Sequence, residues 1–210
     1  MKTLYFKKRV PKINLRGYKF IIMKDKQFWN ELYSGDAYKQ PAPSGFLKEF
    51  YPYLKKDKVL DIACGTGWNS FFLAEQGFLV EGIDFSDVGV SKAMDMAGEK
   101  GLNIEFKKQS IDFYLAPIQR YNSTIVVDFK CSKRMLEEFK KGLVTGGVIF
   151  LEGFTFNHMK NNPETNIELE DCYKPFELAR MLKDWNVLYY DERILDNEHK
   201  VRALAIKPGF

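Results

Sequence analysis

Two segments of the chain place glycines and carboxylates where a ligand could lie against the backbone. The first is an apolar run that contains Asp61 and ends in Gly65-Thr66-Gly67, and the second is an apolar run that ends at Asp84, 17 residues after Gly67. Glycines at a strand-to-helix turn let a ligand approach the amide groups of a helix N-terminus. A carboxylate at the end of the adjacent strand can accept hydrogen bonds from the vicinal hydroxyls of a ribose. The spacing therefore predicts a site for a nucleotide or nucleoside.

Asp61 distinguishes between two ligand classes that share a glycine-rich turn. The pattern Gly65-x-Gly67-x-x-Ser70 matches only part of the fingerprint of dinucleotide-binding folds. In such folds the first strand runs apolar up to the glycines, whereas here an acid stands inside it, four residues before Gly65. A buried acid must be hydrogen-bonded, and it can orient the loop amides near a cationic group but is a poor neighbour for a pyrophosphate. NAD is therefore the less favoured alternative.

These residues resemble the class I S-adenosylmethionine-dependent methyltransferases, and more closely the small-molecule group that includes tellurite-resistance-type enzymes. The resemblance covers residues 28–208 and also rests on Pro43-Ser44, Gly146-Gly147 and Glu152. It implies that the cofactor is S-adenosylmethionine and that the reaction is an in-line methyl transfer. The cofactor contacts that the resemblance implies come from Asp61, Ala63, Cys64, Gly65, Gly67, Asn69, Asp84, Phe85, Ser110, Ile111 and Asp128.

Recognition of the adenine base has three alternatives. Class I enzymes often carry an Asp at the end of the third strand, but here Ser110 occupies the aligned position and Asp112 follows two residues later. Ser110, the backbone of Ile111 or Asp112 could read the base. A second departure is Trp68, which stands where the group commonly has a basic residue.

Aromatic residues are the candidates for the acceptor side of the site. Trp29, Tyr33, Phe129 and Phe154 lie on segments expected to cover or line the pocket, and aromatic faces suit a sulfonium and an apolar acceptor. His158 follows the fifth predicted strand and is a candidate general base. The sequence offers no evident acid–base pair, which favours an ionised or soft small-molecule acceptor, because a neutral hydroxyl or amine more often needs a base. No metal site is expected.

The elements around these residues predict a doubly wound, Rossmann-like α/β fold. Its seven-stranded sheet is expected to be mostly parallel with an antiparallel C-terminal hairpin, because the last two strands are too close in sequence for a crossover helix. The polar residues 156–171 are expected to form a long loop. The predicted strands are residues 59–63, 78–83, 102–107, 124–128, 148–154, 185–192 and 201–206.

Charge is distributed unevenly along the 210 residues. Residues 1–24 carry eight basic and no acidic side chains, which leaves 24 basic against 28 acidic residues in the rest, a formal charge of −4. This acidic body argues against a nucleic-acid partner. We expect a basic arm over residues 1–24 followed by a single methyltransferase domain over residues 25–208. The arm leaves an RNA or protein methyltransferase as the alternative function.

Composition predicts a cytoplasmic protein without a membrane partner. Hydrophobic residues make up 45% of the chain, but no apolar run approaches the length of about 20 residues that a bilayer requires. The three cysteines are far apart, which fits a reducing compartment rather than a disulfide framework.

Overall fold

The computed structural model describes residues 25–35, 38, 41–162, 167–195 and 198–209. Within these ranges seven strands form one sheet with helices on both faces. The strands are β1 (Lys58–Ile62), β2 (Leu79–Asp84), β3 (Glu105–Lys108), β4 (Tyr121–Val127), β5 (Leu143–Phe154), β6 (Asn186–Leu195) and β7 (Glu198–Ile206). The helices are α1 (Lys26–Ser34), α2 (Gly45–Phe50), α3 (Trp68–Glu75), α4 (Asp87–Glu99), α5 (Lys133–Gly142), α6 (Phe156–Asn161) and α7 (Glu177–Met181).

The strand order in the sheet is β3-β2-β1-β4-β5-β7-β6. The first five strands are mutually parallel, whereas β7 pairs antiparallel with both β5 and β6. The chain reverses its direction of travel across the sheet between β1 and β4. Ligands of doubly wound sheets bind at such a switch point, outside the carboxyl ends of the strands. The predicted seven-stranded Rossmann-like fold with its antiparallel end is therefore confirmed.

Alternation along β1 decides which face of the sheet receives Asp61. Leu60 and Ile62 belong to the buried cluster that α5 covers. Val59 instead packs in the cluster that contains Leu73 of α3. Successive side chains of a strand point to opposite faces, so Asp61 shares the face of Val59 and lies beneath α3.

Several expected element boundaries were wrong, and β4, for example, begins at Tyr121 rather than at residue 124. Residues 156–171 are not a continuous loop, because α6 and a 3₁₀ turn (Leu169–Asp171) form there and Thr155 makes a parallel bridge with Tyr173. The third strand begins at Glu105 rather than at residue 102. Strand β5 begins at Leu143, so Gly146, with φ +67°, lies within an irregular strand and does not precede it. The basic arm and the hairpin turn at 196–197 lie outside the described residues.

Helix length bears on membrane association. The longest helix of the described ranges, α4, has 13 residues. No helix in that part of the chain is long and apolar enough to cross a bilayer. Over the same residues, no group of three or more His, Cys, Asp or Glu side chains is arranged to hold a metal ion.

Candidate active site

The loop after β1 and the end of β2 meet at the Asp84 carboxylate. The Gly65 N–H donates to Oδ2 over 2.9 Å, and the Ser86 N–H donates to Oδ1 over 2.8 Å. Burial raises the pKa of Asp84, while these bonds and one from the Phe85 backbone lower it. Each carboxylate oxygen has a second lone pair. Asp84 can therefore accept two further hydrogen bonds from a diol while it holds the loop.

The loop between β1 and α3 has a backbone that favours glycine. Ala63, Gly65 and Gly67 have φ values of +56°, +55° and +87°, in the left-handed region that glycine adopts without steric cost. A Cβ on Gly67 would also lie 2.9 Å from the rings of Phe71 and Phe106. Gly67 is thus required by packing as well as by backbone conformation.

Asp61 is buried below this loop and has a side-chain partner on α3. The Ser70 hydroxyl donates to Asp61 Oδ2 over 2.6 Å. The pKa of Asp61 is raised to about 7 in total. Burial is the main cause, the Ser70 hydrogen bond opposes it, and the Asp84 carboxylate adds to it. The expected hydrogen-bond partner is present, but it is a helix hydroxyl rather than a loop amide.

Helix α1 covers the loop and the N-terminus of α4. Asn30 Oδ1 accepts hydrogen bonds from the Ser86 hydroxyl over 2.6 Å and from the Val88 N–H over 3.3 Å. The Lys92 ammonium donates to the Tyr33 carbonyl at the other end of the helix. No residue of α1 is buried. The helix therefore lies on the core rather than within it, and it is held by these polar contacts and by the packing of Tyr33 on the glycine loop.

The Tyr33 ring fills the space above the glycine loop. A Cβ on Gly65 would lie 2.9 Å from the Tyr33 hydroxyl, and a Cβ on Gly89 would lie 3.0 Å from the ring. Burial and the Asp84 carboxylate raise the pKa of Tyr33 well above its usual range, so its hydroxyl keeps its proton. The space above Gly65 is thus occupied by a side chain and not by backbone. Gly65, Gly67 and Asp84 fit an adenosyl group that displaces this ring.

The segment after β3 lies against the same edge. The Gln109 N–H donates to the Asp84 carbonyl over 2.7 Å. Ser110 is half-buried and Ile111 is buried, whereas Asp112 is exposed and its carbonyl accepts a hydrogen bond from Arg134. Ser110 and Ile111 directly follow Gln109, the residue that contacts Asp84, and both are more buried than Asp112.

Asp128 directly follows β4, on the other side of the glycine loop. The register pairs Ile62 with Val126, so Cys64 and Asp128 stand two residues beyond that pair at the carboxyl edge. Asp128 has a φ of +55°, which is costly for a residue with a side chain. Its side chain is 49% exposed. The structure thus brings Asp128 beside the loop that holds Gly65.

A buried lysine, Lys200, contacts the Asp128 carboxylate and two further carboxylates. Lys200 Nζ lies 2.9 Å from Asp128 Oδ1, 3.3 Å from Glu152 Oε1 and 3.0 Å from Glu198 Oε2. Burial alone would lower the pKa of Lys200, but the three carboxylates hold it well above its usual range. The Ser44 hydroxyl donates to Glu152 Oε2, so Glu152 is contacted from both sides.

The remaining sequence candidates lie around this edge. Trp29 packs beside Tyr33, with ring centroids 5.7 Å apart. Lys200 Nζ lies 4.8 Å from the centroid of the Phe154 ring. Phe129 is partly buried and packs against the cluster below α5. Asn69 does not contact the glycine loop through its Oδ1, which accepts a hydrogen bond from the Ser44 N–H over 3.0 Å.

His158 lies in α6, packed on Phe154 with ring centroids 4.7 Å apart. Its Nδ1 accepts a hydrogen bond from the His199 N–H over 3.2 Å. Burial lowers the pKa of His158, which favours the neutral ring with its proton on Nε2. A role as general base would require the bond to His199 to break.

Sequence reasoning assigned no role to Lys200, Glu152 or Ser44. Glu152 did carry a usable signal, because it is an acid inside an apolar strand, the same feature that singled out Asp61. Glu198, Lys200 and Arg202 alternate along β7, so their side chains share one face. Their register against Glu152, set by the β5–β7 pairing, could not be read from spacing alone.

Comparison with known proteins agrees with this geometry. Residues 59–147 match a family model described as a methyltransferase domain. The ubiquinone biosynthesis O-methyltransferase of Coxiella burnetii is 29% identical over 108 residues, which cover 50% of this chain and 46% of that protein. The Pasteurella multocida protein of the same name is 41% identical over 58 residues, 28% of this chain and 24% of its own length. The chain spans less than half the length of these relatives.

Solved structures share the fold at low sequence identity. TehB from Haemophilus influenzae has a TM-score of 0.68 and 20% identity, over 85% of this chain and 67% of that chain. A SAM-dependent methyltransferase from Methanosarcina mazei has a TM-score of 0.66 and 20% identity, over 80% of this chain and 99% of that chain.

The sheet order, the glycine loop and the acid after β2 define a class I methyltransferase fold. Residues 59–147 match a methyltransferase domain, and the described residues share the fold of solved S-adenosylmethionine-dependent methyltransferases, so the chain is similar to this family. The cofactor of this family is S-adenosylmethionine.

Proposed function

We propose that this protein transfers the methyl group of S-adenosylmethionine to a small-molecule acceptor. The observation that carries the proposal is the Asp84 carboxylate bonded to the Gly65 amide at the switch point of the sheet. Names of the curated relatives support the acceptor class, because they place those proteins in the biosynthesis of ubiquinone, a small molecule.

The residues of this chain supply binding and alignment in the proposed reaction. When bound, S-adenosylmethionine supplies a methyl group already activated on a sulfonium. Asp84 would hold the ribose hydroxyls, and Gly65 and Gly67 would allow close approach to the backbone. Helix α1 and the Tyr33 ring would exclude water, which together with alignment supplies much of the acceleration of such a displacement.

The proposed mechanism uses no general base. His158 Nδ1 is engaged by the His199 amide, and the Lys200 ammonium is held protonated by three carboxylates. An acceptor that is already a good nucleophile, such as a thiolate or another ionised or soft atom, fits this site best.

We also propose that residues 25–208 act as one domain.

Calorimetry with S-adenosylhomocysteine tests the cofactor assignment. We expect the wild-type protein to bind it, and Asp84→Ala to weaken binding by about 1.5–3 kcal/mol because charged hydrogen bonds are lost. Asp95→Ala, on the exposed side of α4, is the matched control and should bind normally. Binding of NAD together with no binding of S-adenosylhomocysteine would refute the proposal.

A labelled-methyl assay tests the acceptor class. Transfer from S-adenosylmethionine would be followed into thiols, phenols and amines of low mass, and in parallel into RNA and protein. We expect label in a small molecule, with or without residues 1–24. Label in RNA or protein alone, dependent on residues 1–24, would replace the small-molecule acceptor and leave the cofactor assignment intact.

A further inference from the structure

Lys200 belongs to a continuous chain of polar contacts that crosses the carboxyl edge of the sheet and ends at Asp128. It begins at Asn69 in the first turn of α3, whose Oδ1 accepts the Ser44 N–H over 3.0 Å. The Ser44 hydroxyl donates to Glu152, and Glu152 Oε1 lies 3.3 Å from Lys200 Nζ. Lys200 then contacts Asp128 Oδ1 at 2.9 Å. The chain of contacts joins the helix that follows the glycine loop to the end of β4.

Exposure changes steeply along this chain of contacts. The side chains of Glu152 and Lys200 are 3% and 9% exposed, whereas that of Asp128 is 49% exposed. A buried ammonium needs several partners to offset the loss of hydration, and Lys200 has three carboxylates. Glu152 and Lys200 therefore form the buried part of the network, and Asp128 is its exposed member at the carboxyl edge of the sheet.

Asp128 also has a backbone that the network helps to retain. Its φ of +55° is a left-handed conformation that is costly outside glycine. Such residues persist where neighbouring contacts hold them and are common at functional sites. The Asp128 N–H donates to the Glu152 carbonyl over 2.9 Å, so the backbone of Asp128 is held by Glu152 and its carboxylate by Lys200.

We propose that Lys200 is a positioning residue, whose ammonium fixes the Asp128 carboxylate beside the glycine loop so that its charge favours cationic S-adenosylmethionine over neutral S-adenosylhomocysteine. The inference rests on the proposed function, because it assumes that the loop holds this cofactor. It adds a role for β7, a strand outside the cofactor-binding half of the sheet. The ammonium acts through Asp128 and does not touch the reacting atoms.

Three hypotheses for the role of Lys200 predict different results in one measurement. The quantity is the ratio of the dissociation constants of S-adenosylhomocysteine and S-adenosylmethionine, measured by calorimetry. If Lys200 positions Asp128, Lys200→Met lets three repelling carboxylates separate, Asp128 moves towards solvent, and the preference for S-adenosylmethionine falls. If Lys200 only contributes charge, removal of a cation raises that preference. If the cluster is only structural, the melting temperature falls and the ratio stays constant.

We expect Lys200→Met and Asp128→Asn each to lower the preference by about fivefold, the equivalent of one medium-strength ion pair. Lys200→Arg should restore most of it, and Lys200→Met should have no further effect in the Asp128→Asn background. Lys183→Met, an exposed lysine before β6, is the control and should retain the wild-type ratio. Circular dichroism of each variant establishes that it is folded.

An unchanged or increased ratio in folded Lys200→Met would overturn the proposal. Should that variant fail to fold, Asp128→Asn decides on its own, since an unchanged ratio there means that the carboxylate does not act on the cofactor. Failure of the wild-type protein to bind either compound would instead reject the proposed function, so the two failures are distinguishable.

Discussion

Asp61→Asn tests whether burial keeps a carboxyl group near neutrality beneath the glycine loop. Asparagine has nearly the same shape as aspartic acid, and its carbonyl oxygen can still accept the 2.6 Å hydrogen bond from Ser70. It cannot ionise. A comparison of the two proteins over a range of pH therefore isolates the cost of the buried charge.

The pKa of Asp61 gives the size and the sign of the effect. Burial raises it from 3.8 to about 7 in the folded protein. Between these values the folded state holds a proton that the unfolded state has released, so the free energy of unfolding falls as pH rises. About three pKa units correspond to about 4 kcal/mol, which the wild-type protein loses between about pH 4 and pH 8. Asp61→Asn lacks this loss.

Urea denaturation followed by circular dichroism measures the difference. We expect Asp61→Asn to gain about 2.5–3 kcal/mol relative to wild type between about pH 5 and about pH 8.5, since about two of the three pKa units lie in this range. Asp95→Asn, on the exposed side of α4, should follow the wild-type profile. If the difference between Asp61→Asn and wild type is independent of pH, burial does not suppress ionisation at this position.

Two further substitutions test the cover of the site and the far end of β2. Tyr33→Ala should accelerate S-adenosylhomocysteine association by about two- to tenfold, because the ring no longer fills the space over Gly65, whereas Tyr33→Phe should keep the wild-type rate. Stopped-flow tryptophan fluorescence measures both rates, and equal rates in Tyr33→Ala and wild type would contradict this role. Glu81 is buried, which raises its pKa, but hydrogen bonds from Lys107, Tyr121 and a second lysine lower it overall. Its contribution to stability is therefore present above its unfolded pKa and lost as pH falls through the lower folded value. Glu81→Gln should lower the free energy of unfolding at neutral pH by about 1–3 kcal/mol in urea denaturation with the affinity for S-adenosylhomocysteine unchanged. A loss of affinity without a loss of stability would place Glu81 in the site instead.

Local patterns were sufficient to predict the sheet and the cofactor loop. Apolar runs of strand length with intervening helical periodicity predict parallel strands, and the short connection after β6 leaves antiparallel pairing as the remaining choice. Gly65, Gly67 and Asp84 are adjacent in space because parallel strands end at the same edge of a sheet. The position of these residues follows from the topology alone.

The cover and the charge network depend on contacts between segments distant in sequence. The sequence places Tyr33 among the residues expected to cover or line the pocket. It does not indicate that Asn30 bonds Ser86 or that the Tyr33 ring lies over Gly65 in particular, since these contacts join residues more than 30 positions apart. The Lys200–Asp128 contact likewise depends on the β5–β7 register. A polar residue in a strand shows that a partner exists, but only the folded chain identifies it.

Asp61 and Glu152 are both acids within strands of the same sheet, but the groups that contact their carboxylates differ. Asp61 has a neutral hydroxyl as its partner and a raised pKa, so its charge can respond to a cation bound above it. Glu152 contacts both Lys200 and Arg202, so its partners are cations rather than a neutral hydroxyl. If the cofactor's ammonium group approaches Asp61, binding near neutral pH must release part of a proton, because a nearby positive charge favours the ionised carboxylate. The cofactor half of the site is therefore expected to be sensitive to pH through Asp61.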